Sequence, residues 1–344
     1  MDLDRGLEAL RACLAGANEE TKAELATLEE RLIANRRGER IFGSSENTRN
    51  ERSQIIYALN ELALRHCGAS FNDLCLGKGA KGDGPVSGPA RPVLNTGQAW
   101  AVLVGINYYE DAHLAGLKVC VDDVAAVHQS LAGSYQVAKL LTDATPDRLP
   151  TRANILGELS AVAQAAGEGD LLLFYFSGHG VAEGGESYLL PRDTRLPALK
   201  HTAVAMRDVR ELIGQSPARA RVIVLDACHS GAPIGKAGAT MTPEFIRRVF
   251  EEAEGMAVLA SCKQGQQSWE WPDKKRSVFT YYLLEALAGQ ADFEKKGFVT
   301  VSDANEYVAN GVKDWAAHNS VPQTPTLHYT VAGDIILSRY AGSS

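Results

Sequence analysis

Apolar and polar positions along the chain fall into two regimes. Over the first 75 residues, leucines and an isoleucine recur on one helical face: Leu3, Leu7, Leu10 and Leu14, then Leu25, Leu28 and Leu32, then Ile55, Leu59 and Leu62. This spacing predicts three helices, with a short fourth near Phe71–Cys75. The polar stretch RLIANRRGERIFGSSENTRNER, residues 31–52, reads as the turn-rich connection between the second and third. Residues 76–96, LGKGAKGDGPVSGPARPVLNT, are rich in Gly and Pro and cannot build a core, so they read as a linker. From residue 97 the pattern changes. Short apolar runs (99–106, 137–141, 170–176, 221–227, 255–261 and 334–339) alternate with amphipathic stretches (121–132, 151–166, 206–215, 242–254, 277–289 and 302–316). Strands alternating with helices predict an α/β domain: a mostly parallel central sheet flanked by helices on both faces. Runs apolar through their whole length are expected where a strand is covered on both sides. The expected organisation is a small all-α domain over 1–75, a linker over 76–96 and an α/β domain over 97–344.

Composition narrows the function classes. The chain has 344 residues, 45% hydrophobic and 22% charged, with a formal net charge of −7. An acidic balance argues against nucleic acid as the partner, because phosphate contact needs a basic surface; it suits cationic substrates or partners. No apolar run approaches the ~20 residues that span a bilayer, so no membrane is expected. No secretory leader is visible at MDLDRGLEAL. Six cysteines (Cys13, Cys67, Cys75, Cys120, Cys228 and Cys262) are scattered with no CxxC pair. This pattern suits free thiols in a cytoplasmic protein and gives no zinc site. No metal and no cofactor are expected, and Asp193 stands without the neighbours a calcium loop needs.

In a parallel sheet, chemistry gathers beyond the carboxyl ends of the strands. Three strand exits are unusually polar: GINYYED, FSGHGVAEGG and DACHSG. The second delivers His179 among glycines, the third delivers Cys228, and about 50 residues separate them. One crossover makes two such strands neighbours, with their tips side by side. A cysteine attacks as its thiolate, and a free thiol has a pKa of about 8.5, so a nearby imidazole that takes the proton activates it. Flanking glycines let backbone N–H groups reach a developing oxyanion. Cys262 also follows a strand, but it lacks a glycine-flanked turn and reads as a wall residue. His229 is adjacent to Cys228, and side chains adjacent at a strand exit diverge. Asn107, at the first strand exit, reads as structural.

SGHG followed by DACHSG resembles the caspase-like cysteine peptidases, the clan of caspases, metacaspases and paracaspases, over about residues 97–340. The resemblance implies a caspase-like fold and a Cys–His dyad of Cys228 and His179. It also implies an oxyanion hole of the Gly180 and Cys228 backbone N–H groups, and a thioester intermediate. Caspases carry Gln where this chain has Asp226, and cut after aspartate. The chain looks instead like metacaspases and bacterial caspase-like proteins, whose pocket for the residue before the scissile bond is acidic. Carried over position by position, that pocket is Cys120, Asp123, Ser177 and Asp226. Two enclosed carboxylates favour Arg, or Lys, of a protein substrate. The resemblance also implies a mobile, cleavable loop after Cys228, with Lys236 the favoured site ahead of Arg247 and Arg248. Trp269 and Trp271 read either as a subsite for the preceding substrate residue or as a packed loop. The helical region resembles effector-associated domains, which implies a regulatory protein partner and a role in defence, such as antiviral defence, or in cell death. Two alternatives stay open: a caspase-fold scaffold whose chemistry is incidental, and a different thiol hydrolase.

Overall fold

The computed structural model describes residues 3–42, 93–226, 255–263 and 266–329, most of 331–340, and parts of 55–75 and 245–249. The chain divides into two compact units, Met1–Ala90 and Arg91–Ser344. No helix among the described residues is long and apolar enough to cross a membrane.

In the first unit, helices Leu3–Cys13 and Glu19–Phe42, helical residues between 55 and 67, and the short helix Phe71–Cys75 bury one shared core. Its members include Leu10, Leu32, Ile55, Leu59, Leu62 and Phe71. The second helix continues through Phe42, well into the stretch expected to be a turn-rich connection. Its Arg, Glu and Ala residues are good helix formers, and buried Leu32 anchors it. Cys13 and Cys67 form a disulfide with Cα atoms 5.8 Å apart, which corrects the expectation of six free thiols. A separation of 54 residues hid the pair; helix packing brings the two together.

The second unit is an α/β domain. Its strands are β1 Ala99–Gly105, β2 Val137–Thr142, β3 Leu171–Ser177, β4 Gly180–Glu183, β5 Glu186–Leu189, β6 Val204–Ala205, β7 Ala220–Asp226, β8 Ala257–Ala260, β9 Glu270–Trp271, β10 Arg276–Ser277, β11 Phe298–Thr300, β12 Thr326–Tyr329 and β13 Ile336–Arg339. The main sheet has the order β12-β8-β7-β3-β1-β2, parallel except for β12, which runs antiparallel to β8. Successive strand residues face opposite sides. Val102, Phe174, Phe176, Ile223 and Leu225 enter one core with helices Arg152–Ala165 and Met206–Gln215. Leu103, Leu173, Tyr175, Val222 and Val224 enter the other, with helices Cys120–Leu131, Val278–Glu285 and Val301–His318. Every residue of β3 is buried, which is why its sequence is apolar without alternation.

Side-chain caps set the helix starts: Thr151 accepts from the Asn154 N–H, Ser277 from the Thr280 N–H, and Thr300 forms a capping box with Asp303. The sheet differs from expectation at one edge. The apolar run at 334–339 does become a strand, but β13 pairs with β11 in a separate two-stranded sheet. The sixth strand of the main sheet is β12, an edge strand whose residues are all half-buried and therefore lack a strong apolar signal. The small antiparallel sheet β4-β5-β6, just after His179, was also not legible.

Candidate active site

Strands β3 and β7 lie side by side in parallel, and their last residues, Ser177 and Asp226, are register partners. The segment carrying His179 leaves the end of β3, and the segment carrying Cys228 leaves the end of β7. Cys228 itself, with His229 and Lys236, lies outside the described residues, as do Arg247 and Arg248.

His179 is buried and held on three sides. Its backbone N–H donates to the Tyr109 hydroxyl at 2.8 Å. The Tyr109 ring lies against the imidazole, with centroids 4.9 Å apart. Its Nε2 is 2.8 Å from the Ala115 carbonyl oxygen. A carbonyl only accepts, so Nε2 carries the proton and the neutral ring keeps its basic lone pair on Nδ1. Tyr109 and Ala115 both belong to the loop after β1, so that loop sets the tautomer and the ring plane. Gly178 is needed for this approach, because a Cβ there would come within 3.0 Å of the Tyr109 hydroxyl and 2.9 Å of the Phe176 ring. Gly180 opens β4 opposite Leu189.

The four residues implied as a pocket come from three elements. Cys120 and Asp123 sit in the first turn of helix Cys120–Leu131, and both are fully buried. That turn lies against the end of β1, where a Cβ on Gly105 would come within 2.5 Å of the Cys120 carbonyl oxygen. Ser177 and Asp226 end β3 and β7, also fully buried. The Ser177 hydroxyl has no hydrogen-bond partner among the described residues. Asp226 accepts from Ser268 Oγ at 2.9 Å, Thr280 Oγ1 at 2.6 Å and Ser277 Oγ. Asp123 accepts the Ser277 N–H at 3.1 and 3.2 Å on its two oxygens. Burial, and after it the Asp226 carboxylate, push Asp123 well above the usual carboxylate range. Ser277 thus joins both acids. Ser268, Ser277 and Thr280 were missed in the sequence, as were Tyr109 and Ala115. Only Ser277 had a local signal, as a helix N-cap ahead of an apolar run.

Cys262 is buried, its thiol donates to the Gln266 carbonyl at 3.4 Å, and burial pushes its pKa up to about 12. Such a thiol does not ionise near neutrality, so it is a poor nucleophile. Asn107 accepts from the Val121 N–H and donates to the Lys118 carbonyl, pinning the loop after β1 to the helix start. The Trp269 ring N–H donates to the Pro322 carbonyl, and the Trp271 ring packs among Tyr281, Tyr282 and Trp315. Asp193 accepts the Arg152 N–H at 2.9 Å and serves a helix start. Among the described residues, no group of three or more His, Cys, Asp or Glu is placed to hold a metal ion.

Residues 98–334 match the caspase domain, and the chain belongs to that family of cysteine peptidases. Among curated relatives, it is 32% identical over 163 residues to metacaspase-4 of Arabidopsis thaliana, covering 45% of this chain and 38% of that protein. It is 28% identical over 217 residues to metacaspase-7 of the same plant, covering 60% and 51%. It is 30% identical over 240 residues to metacaspase-1 of Eremothecium gossypii, covering 64% and 52%. The chain thus spans about half the length or less of these relatives.

Proposed function

We propose that the chain is a cysteine endopeptidase that cleaves proteins after Arg, and more slowly after Lys. The observation that carries the specificity is the fully buried pair Asp123 and Asp226, beside the tips of β3 and β7. Two acids in one dry site need a cation, and a guanidinium meets both with its planar fork of donors. A neutral residue there forgoes that compensation.

In this reading, His179 Nδ1 takes the proton of Cys228. The thiolate attacks the carbonyl carbon of the bound residue, and the N–H groups of Gly180 and Cys228 receive the oxyanion. Collapse breaks the C–N bond, and His179 returns its proton to the leaving amine. Water, deprotonated by His179, then hydrolyses the thioester and restores the thiol. The Ala115 carbonyl supports this cycle because it holds the second ring proton on Nε2 and so stabilises the imidazolium. Cys120 and Ser177 form walls of the pocket. Residues 1–75 act as an adaptor for a regulatory protein partner in a defence or cell-death response in the cytoplasm. Residues 76–96 tether it to the peptidase domain at 97–344.

The test is a set of fluorogenic peptides with Arg, Lys, citrulline or Asp before the scissile amide, run with wild type and Cys228→Ala. Cleavage after Arg that disappears in Cys228→Ala is the expected result. Cleavage after Asp, or none after Arg in wild type and in a variant lacking residues 1–96, overturns the proposal.

A further inference from the structure

The hydroxyls of Ser268, Ser277 and Thr280 that donate to Asp226 are themselves acceptors. Ser277 Oγ receives the Thr280 N–H at 2.9 Å. Thr280 Oγ1 is in hydrogen-bond contact with the Tyr175 hydroxyl, and Ser268 Oγ lies 3.3 Å from Gln323 Nε2. The direction of each bond follows from the groups on either side. A hydroxyl has one proton to give. Thr280 gives its proton to Asp226 Oδ2, so the Tyr175 O–H donates to Thr280. Gln323 is oriented by main chain on both sides. Its Oε1 faces the Trp269 N–H at 3.0 Å, which only donates, and its Nε2 faces the Ser261 carbonyl at 3.0 Å, which only accepts. Turning the amide over would set donor against donor and acceptor against acceptor. The second Nε2 proton is therefore directed at Ser268 Oγ, whose own proton goes to Asp226 Oδ1.

Each hydroxyl is thus polarised toward Asp226 by a donor behind it. A proton on either oxygen of Asp226 would meet an O–H already aimed there, so the shell fits the carboxylate. Bonds arranged head to tail in a dry site strengthen one another. Asp123 is held differently: among the described residues it accepts one N–H, that of Ser277, across its two oxygens. The outer ends of two relays come from distant parts of the chain. Tyr175 lies within β3 with its ring in the core, fully buried, where Phe would pack as well. Gln323 is 3% exposed, just ahead of β12. A buried hydroxyl or amide is costly unless it is hydrogen-bonded, and both of these spend a bond on the shell of the same acid.

We infer that Tyr175 and Gln323 are positioning residues of the acidic pocket: acting through Thr280 and Ser268, they hold Asp226 charged and aimed for the guanidinium of the substrate. This deepens the proposed specificity for Arg and rests on it. Neither residue acts on the substrate itself. Without the donor behind it, a hydroxyl is free to turn its proton elsewhere, and the carboxylate then carries its charge in a dry site with weaker support.

The test uses the full chain with two substitutions. Tyr175→Phe removes one oxygen and keeps the ring; Gln323→Met keeps the length and removes the donor. With fluorogenic peptides carrying Arg or citrulline before the scissile amide, each variant should raise KM for Arg about two- to tenfold with kcat little changed. The citrulline peptide should shift by less than about twofold. A merely structural loss weakens both peptides together, so the Arg-to-citrulline ratio is the readout. In an Asp226→Asn background neither substitution should move that ratio further. Should Gln323→Met fail to fold, Tyr175→Phe decides alone. Anisotropy of labelled Arg and citrulline peptides with the Cys228→Ala protein, alone and carrying each substitution, reads binding without turnover. A preference for Arg that survives both substitutions, or a loss that persists with Asp226→Asn, overturns the inference and leaves the proposed activity standing. A preference in binding that falls in the variants, with no cleavage by the chain that keeps Cys228, supports the inference and sinks the activity. Equal binding of Arg and citrulline by the Cys228→Ala protein overturns both.

Discussion

Asp123→Asn perturbs the acidic pocket with the smallest change in shape. The Asn amide oxygen still accepts the Ser277 N–H, so the start of helix Val278–Glu285 keeps its neighbour. What is lost is one of two carboxylates in a fully buried site, which in the proposed reading face the substrate guanidinium. Removing one partner from a buried charge pair costs ~3–5 kcal/mol. With about 1.4 kcal/mol to each factor of ten, kcat/KM for an Arg peptide should fall between about a hundredfold and several thousandfold. The matched citrulline peptide has the same shape and no charge, and should lose less than about tenfold. The pH dependence gives an independent readout. Burial and the Asp226 carboxylate raise Asp123, so the empty pocket keeps a proton there above the usual carboxylate range. An entering cation favours the charged acid and expels that proton. In wild type, kcat/KM for Arg should therefore rise with pH up to the raised value of the free pocket, and then level. The stability of the free protein runs the other way. A raised acid contributes fully below the ordinary value, and the contribution is lost as pH rises through the folded one. Asp123→Asn should abolish both slopes. Equal losses for Arg and citrulline, or an Arg loss below about fivefold, refute the reasoning.

Three further outcomes follow from the same contacts. Tyr109→Phe removes the acceptor of the buried His179 N–H, a loss of ~1–3 kcal/mol, and should lower kcat at least several-fold with KM little changed; a purely structural effect would instead show as a lower melting temperature with kcat intact. Ser277→Ala removes an N-cap worth ~1 kcal/mol and a hydrogen bond to Asp226 worth ~1.5–3 kcal/mol. Its denaturant midpoint should drop accordingly, whereas Ser277→Thr should recover much of it. Reducing Cys13–Cys67 opens a 54-residue separation, for which chain entropy predicts ~4 kcal/mol of lost stability; calorimetry of residues 1–90 should show it, and no change would mean that helix packing alone holds this unit.

Periodicity alone predicted most of the architecture, because burial dictates residue type. β3 is buried on both faces and can only be apolar, and the leucine stripes at Leu7, Leu10, Leu28 and Leu32 mark the faces that became the helical core. The position of His179 was legible for a related reason: a polar residue at the end of an apolar strand breaks the pattern. Asp123 and Asp226 were reached only through the resemblance to metacaspases. Tertiary structure decided what the pattern does not encode. Edge strand β12 is half-buried and mixed in character, so its place beside β8 depended on packing rather than on its own residues. The pairing of Cys13 with Cys67, the Tyr109 and Ala115 clamp on His179, and the Ser268, Ser277 and Thr280 hydroxyls around Asp226 all join residues 42 to 70 positions apart, or between those limits. A hydrogen bond or disulfide needs only one suitable atom at each end, and so leaves no periodic trace in the chain. Burial is written in every residue of an element, whereas a site is written in a few, and only folding brings those few together.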